Sequence, residues 1–488
     1  MKKIDFLFIH PSTHIKDLNS IKKTYIILPM GTIALADLLL KEGYEVKIIH
    51  TGIEYICNRN FKLEDVIKKY DPIMVGIDLH WYVHSYDAIR IANTVKQLSN
   101  AFVVLGGFTA SYFAEEILSL FKNVDAIICG DAELPLIKLV KCKSYEDLKE
   151  VPNIVYRNGS EIKKGRNRYI ASSSDLNRLD FTNLPLLSNF DEYRRNISQF
   201  GELDPFKDKA KIKTQGWACI GRGCSVNCSY CGGGRDAFQL LTGRSEPIFR
   251  DKERVLDELE RFEEMKISCI YMDFDPFPEK RDYYYDLFEL IRREKIDISA
   301  QFLLWSLSNK KFLRDFNRTF NPLYSTLTIS PESGSEHIRK LNKGFYYSNE
   351  ELFHWLENIK KEMIPIQLYF TSGLSWETVT DFEQTINLAK KIVEKYPVIS
   401  ISCNPIELEP ASPRFLSPKK YGIKLKIKSF IDYYNLFKGL ANALPISTQL
   451  GYETNYLTEP LIINLSQKFR EEIFSIQYNR WEKIFFKS

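Results

Sequence analysis

The sequence predicts two α/β units in tandem: a doubly wound parallel sheet, then a partial (β/α)6 barrel, with a small helical region behind. Three observations carry this. Short β-branched apolar runs alternate with amphipathic stretches in two series along the 488 residues, one before residue 145 and one from 211 to 415. A polar, Pro-containing stretch separates the two series. A composition of 44% apolar and 27% charged residues suits a chain that buries a sizeable core.

In the first series the strand candidates are residues 3–10, 44–52, 71–79, 101–107 and 124–131, with helical patterns at 85–98 and 111–121. Buried strands joined by crossover helices make a parallel sheet that binds ligands outside its carboxyl ends. Those ends carry "DLHWYVH" (78–84), "GGFTAS" (106–111) and "GDAELP" (130–135). Residues 1–145 form this unit. Residues 146–210 read as a linker wrapped on the surface, with a hairpin around Asn158-Gly159. The barrel unit, 211–415, has strand candidates at 211–217, 267–274, 297–304, 324–331, 365–373 and 398–405, so its chemistry belongs at the strand C-termini. Residues 416–488 read as helical.

The 67 basic and 63 acidic residues nearly cancel, which gives no electrostatic case for nucleic acid as partner. No apolar run reaches the ~18 residues that span a bilayer; the best, Tyr25 to Leu40, is broken by Pro29, Gly31 and Asp37. The N-terminus lacks a signal-peptide pattern. The expectation is a cytoplasmic protein without a membrane partner, whose nine cysteines are free thiols or metal ligands.

Three of those cysteines stand in one loop, "GCSVNCSYCGGG" (223–234), with no fourth close behind. A structural zinc site wants four protein ligands, and no second Cys/His pair follows. Three thiolates suit a [4Fe-4S] cluster whose fourth iron is left for a substrate or cofactor. Zinc and coincidence are the competing readings. The glycines after Cys231 let backbone amides approach the cluster sulfurs.

The CxxxCxxC spacing of Cys224, Cys228 and Cys231, with Tyr230 before the last, resembles the radical S-adenosylmethionine (SAM) superfamily. "SPESGSEHIRKLNKG" (330–344), "FTSGLSWET" (370–378) and "LEPASPRF" (408–415) resemble its segments after the fourth, fifth and sixth barrel strands. "PMGTIALADLLLKEGYEVKIIHT" (29–51), "LGGFTAS" (105–111) and "ICGDAELPL" (128–136) look like the Rossmann-like cobalamin-binding domain of B12-dependent radical SAM enzymes. This resemblance implies a TIM-type partial barrel and three cofactors: a [4Fe-4S] cluster on the three cysteines, SAM and cobalamin. It implies SAM contacts at Tyr230, Glu332 and Ser333, with Asp273 or Asp275 in place of the usual Gly-Gly-Glu carboxylate. It implies cobalamin contacts at Pro29, Gly31, Asp78, His80, Trp81, Gly106, Gly107, Gly130 and Glu133. The first βα loop, "HPSTHIKDL" (10–18), departs from the Asp-x-His-x-x-Gly segment of some corrinoid proteins, so cobalamin is expected base-off without a ligand from His10 or His14. His80 and His84 are more simply loop histidines.

Several of these residues have plainer readings. Gly106-Gly107 could be a turn needing positive φ, Glu133 a helix cap, and Glu332 a solvated strand end. Trp81 and Tyr82 read as pocket walls. Arg339 and Lys343, four apart, read as a solvated helix face, and the five isolated cysteines Cys57, Cys129, Cys142, Cys269 and Cys403 as structural. Cys219 reads as a packed strand-end residue.

The function implied is methyl transfer to an unactivated carbon through a 5′-deoxyadenosyl radical and methylcobalamin. Cyclisation, rearrangement or oxidation without methyl transfer is the near rival; methylthio transfer and a corrinoid-binding sensor stand further off. The expected substrate is a small molecule or peptide, and the expected electron donor a flavodoxin or ferredoxin. No residue is nominated as a substrate acid or base.

Overall fold

The computed structural model describes residues 3–12, 28–192, 214–275, 281–442 and 450–485. The first sheet has seven strands. β1 (Phe6–His10), β2 (Val46–His50), β3 (Met74–Asp78), β4 (Phe102–Gly106) and β5 (Ala126–Ile128) run parallel. Antiparallel β6 (Ile154–Asn158) and β7 (Glu161–Lys164) follow, giving the order β2-β1-β3-β4-β5-β6-β7. The apolar cores of β1 to β5 are buried on both faces, as a helix-covered sheet requires. In the helix Ser85–Leu98, Ala88, Ile91, Ala92 and Val95 fall at i, i+3, i+4 and i+7, and all four are buried.

The stretch expected as a surface linker is instead built into this sheet at both ends. Its Asn158-Gly159 hairpin supplies β6 and β7, because the Ile154–Tyr156 run is apolar enough to be buried against β5. At the far edge, Leu187 bridges to Ile48 and Ser188 N–H donates to Ile48 O. Residues 193–213, including the start of the 211–217 strand candidate, lie outside the described residues.

The second sheet is the partial barrel. β8 (Gln215–Trp217), β11 (Cys269–Met272), β12 (Ser299–Leu304), β13 (Thr326–Glu332), β14 (Ile366–Ser372) and β15 (Val398–Pro405) are parallel and neighbours in that order. Among the described residues, β15 and β8 do not pair, so the barrel is open. A short antiparallel pair, β9 (Gly221–Arg222) with β10 (Ile248–Phe249), stands between β8 and β11 and leads into the cysteine loop. The helix Val379–Lys395 starts on a Thr378–Asp381 capping box, worth about 1 kcal/mol.

The C-terminal region is not purely helical. It contains the pair β16 (Ile423–Leu425) and β17 (Tyr452–Thr454) between the helices Phe430–Asn442 and Glu459–Phe485. The first of these helices packs on Ser85–Leu98 of the N-terminal sheet; the second lies along β14 and β15 at the barrel's open edge. No described helix is long and apolar enough to cross a membrane.

Candidate active site

The cysteine loop hangs over the C-terminal end of the barrel. Burial pushes the Cys231 thiol up, Glu409 adds to this, and Cys228 and Cys224 lie close enough for their charges to raise it further. Two of the sulfurs already accept backbone amides: Gly344 N–H donates to Cys228 Sγ at 3.2 Å and Gly233 N–H to Cys231 Sγ at 3.3 Å. Such donors lower the cost of anionic sulfur, as an iron–sulfur centre needs. Only the first of these glycines is sterically required. A Cβ at Gly344 would strike Val226 at 2.6 Å, whereas one at Gly233 finds only Cys231 Sγ and Phe108, at 3.8 and 3.9 Å. Among the described residues no three His, Cys, Asp or Glu groups converge tightly enough for a single metal ion. Residues and spacing fit a cluster held by three cysteines.

Beside the thiols, Tyr230 hydroxyl donates to Glu332 Oε1 at 2.9 Å. Glu332 has φ +65° and sits at a register shift between β13 and β14, a bulge that re-aims the carboxylate toward Tyr230. Burial raises its pKa, opposed by Lys343, whose Nζ is 3.9 Å away. Lys343 and Arg339 are therefore not a solvated face. Arg339 is fully buried and donates to Pro331 O, Ser333 O, Tyr347 O and Asn349 Oδ1, tying the turn after β13 together.

Other expected SAM contacts are engaged elsewhere. Ser333 is buried against Thr385 Oγ1, and Asp275 accepts Trp305 N–H at 2.9 Å with no exposed surface. Asp273 is half-buried on the concave face of the barrel and hydrogen-bonded by Trp217; burial raises its carboxyl.

In the first sheet the strand order reverses between β1 and β3, and a ligand crevice is expected there. At that point His10 and Asp78 are bonded at 2.7 Å, Asp78 Oδ1 accepts His80 N–H, and the His50 and His84 rings lie 4.6 and 5.4 Å from that of His10. Burial depresses both His80 and His84, the latter to about 3, so both rings are neutral. His80 packs against Trp81 and Phe108. Trp81 is 42% exposed, but Tyr82 is no wall: it is buried against Tyr433 and donates to Glu407. Gly31 and Gly106 face open space, and Pro29 precedes the helix Met30–Lys41. His14 lies outside the described residues.

Gly107, Gly130 and Glu133 each meet neighbours within the protein. Gly107 has φ +108°, and a Cβ there would meet the His80 backbone at 2.5 Å. Gly130 packs on the backbone of Leu241 and Thr242 in the barrel unit. Glu133 caps nothing; it pairs with Arg222 at 2.6 Å. Arg222 also binds Asp131 at 2.7 Å, and Asp131 binds Arg244 at 2.6 Å, all largely buried. These arginines were not singled out in the sequence, since a lone Arg carries no motif. Of the isolated cysteines, Cys269 and Cys403 are buried and Cys57 is exposed, whereas Cys219 is partly buried beside Gly221.

The turn after β14 holds a further buried carboxyl. Glu377 Oε2 accepts the N–H groups of Gly373 and Leu374, and burial pushes its pKa up to about 8. The folded state thus favours the neutral acid: this stabilisation is complete below about pH 4.5 and is lost as pH rises to 8. Glu377→Gln, which keeps the acceptor, is expected to flatten that loss. At pH 9 its Tm should exceed the parent's by about 4 °C, for a relieved cost on the order of 2 kcal/mol, and at pH 5 the two should coincide. Thermal melts across pH check it.

Comparison with known proteins agrees with this geometry. The B12 binding domain model matches residues 19–140 and the Radical SAM superfamily model residues 219–389. The chain is 27% identical over 383 residues to the uncharacterized methyltransferase PH0819 of Pyrococcus horikoshii, covering 77% of this chain and 75% of that one. It is 22% identical over 377 residues to an anaerobic magnesium-protoporphyrin IX monomethyl ester cyclase of Cereibacter sphaeroides, covering 74% of this chain and 56% of that one. Among solved structures, the radical SAM methyltransferase TsrM of Kitasatospora setae, with cobalamin and a [4Fe-4S] cluster bound, superposes with a TM-score of 0.69 at 13% identity. That match covers 97% of this chain and 89% of TsrM. The cobalamin-dependent enzyme OxsB superposes with a TM-score of 0.59 at 15% identity, over 96% of this chain and 66% of OxsB.

Fold and site together define a two-unit class, a corrinoid-binding sheet set ahead of a cluster-bearing barrel. The chain belongs to the cobalamin-dependent radical SAM enzymes.

Proposed function

We propose that the protein is a methyltransferase acting on an unactivated carbon. One observation carries the reading: the tip of the corrinoid-binding sheet lies on the cysteine loop. Phe108, directly after Gly107, is the neighbour that a Cβ at Gly233 would meet, two residues from Cys231. Two cofactor sites held face to face suit the handing of a methyl group to a radical carbon between them.

Cys224, Cys228 and Cys231 hold the cluster, and the Gly344 and Gly233 amides stabilise its sulfurs. Tyr230 and Glu332 supply the polar edge for the SAM ribose. Gly31, Gly106 and Trp81 border the open crevice for cobalamin, held base-off without a histidine ligand, because the first βα loop lacks the Asp-x-His-x-x-Gly segment. When bound, the cluster with SAM supplies a 5′-deoxyadenosyl radical, and the corrinoid supplies the methyl group. The barrel excludes water around them. A flavodoxin or ferredoxin delivers the electron, and a small molecule or peptide is the acceptor.

The match to a cyclase favours one second reading, radical chemistry without methyl transfer. Anaerobic turnover with reductant separates the two. S-adenosylhomocysteine, 5′-deoxyadenosine and a methylated product are expected; 5′-deoxyadenosine without methyl transfer would make the second reading correct. Reduced protein carrying cob(II)alamin should show no nitrogen superhyperfine splitting in its EPR spectrum, whereas a triplet would reveal an axial nitrogen, from a histidine or from the cofactor's own base.

A further inference from the structure

The concave face of the barrel identifies a class of substrate, an inference that rests on the radical SAM reading for the location of the reaction. Register fixes which residues share that face. Trp217 pairs with Tyr271, Tyr271 with Gln301 and Gln301 with Thr326; Thr328, on the same face as Thr326, pairs with Gln367. Side chains two apart on a strand share a face, so Asp273 and Tyr369 belong to it as well. Ile270, Phe302, Leu327 and Leu368 point the other way and are fully buried.

Had the concave face been packed shut, its mid-strand residues would be buried too. The deep row is: Gln215 Nε2 donates to Gln301 Oε1 at 2.9 Å, and both are covered. Toward the strand C-termini the lining opens. Trp217, Tyr271 and Asp273 are half-buried, and Tyr369 is 38% exposed although it stands in the middle of a central strand. The cavity therefore has a polar floor and an aromatic wall, and it opens where the cysteine loop sits. The Trp217 and Tyr271 rings are 4.5 Å apart, and Tyr369 is near enough to Tyr271 to influence it.

On that wall Asp273 is a carboxylate that burial disfavours, held by the Trp217 indole. A ligand carrying an ammonium or a strong N–H donor would relieve it with a charge-assisted bond, while its flat body stacks on the rings. A carboxylate or phosphate at that position would meet like charge. We infer that the chamber binds a planar aromatic substrate through its rings and a cationic or N–H-donating group of that substrate through Asp273.

Anaerobic holoenzyme, with iron and cobalt contents measured beforehand, is dialysed to equilibrium against 1-naphthylmethylamine, 1-naphthalenemethanol and 1-naphthylacetate, with and without saturating SAM. The amine should bind at least tenfold more tightly than the acetate, with the alcohol between. Asp273→Asn should bring all three within about twofold, and Trp217→Ala should weaken all three alike. Equal or tighter binding of the acetate, no binding of any probe at millimolar concentration, or an unchanged preference in Asp273→Asn overturns the inference. So does a preference that SAM abolishes, because Asp273 then serves SAM. The three-probe series on the parent protein decides the matter even if a variant fails to fold. Protein that loads neither iron nor cobalt would refute the radical SAM reading itself, a separate failure.

Discussion

Replacing Cys224, Cys228 or Cys231 singly with alanine is expected to cut iron bound after anaerobic reconstitution from about four per chain to well under one. SAM cleavage should fall below detection. The loop offers three thiols for three corners of the cluster, and the amides of Gly344 and Gly233 donate to two of the sulfurs. Cys57→Ser, at an exposed position far along the chain, should leave both readouts unchanged. Iron analysis with the visible absorption band checks this; full iron in the alanine variants would remove the basis for the site.

The second large effect is expected from Asp131→Asn. Asp131 sits between Arg222 and Arg244, each within 2.7 Å, and also accepts Ala171 N–H; these partners hold its carboxyl below the ordinary range despite burial. Asparagine keeps the size and can still accept the amide, but it leaves the buried Arg244 without a carboxylate partner and Arg222 with Glu133 alone. Breaking a buried pair in this way costs about 3–5 kcal/mol. The expected result is a Tm lower by about 10 °C, with the single calorimetric transition splitting in two as the sheet and the barrel part. A shift within 2 °C would show that the arginines find solvent and that the domains are held by other contacts. Because the native carboxylate is favoured, its stabilisation is present above the ordinary aspartate range and lost as pH falls through the lowered value.

Both α/β series were legible in the sequence because buried parallel strands are apolar runs whose spacing survives without any tertiary knowledge. The three cysteines were legible because ligand chemistry constrains residue type and spacing together. Other neighbours were illegible for a shared reason. Glu133, Gly130, Arg339 and Lys343 look like surface or ligand residues in one dimension, and only the approach of a second element gives them partners. The bulge that turns Glu332 inward has no residue signature either, since its strand reads as a regular one. Nor could the sequence reveal that the Asn158-Gly159 hairpin extends a sheet; a turn signal specifies the two strands beside it and not what they lean on.

The helix Glu459–Phe485 has its own consequence. Ser372 Oγ donates to Ile462 O and Ser466 Oγ to Cys403 O, so this helix is bonded to both outer strands of the barrel's unpaired side. During synthesis it leaves the ribosome long after the cysteine loop. Until then β14 and β15 lack the cover that this helix gives them. The open side of the barrel is thus covered only after all six of its strands have been made.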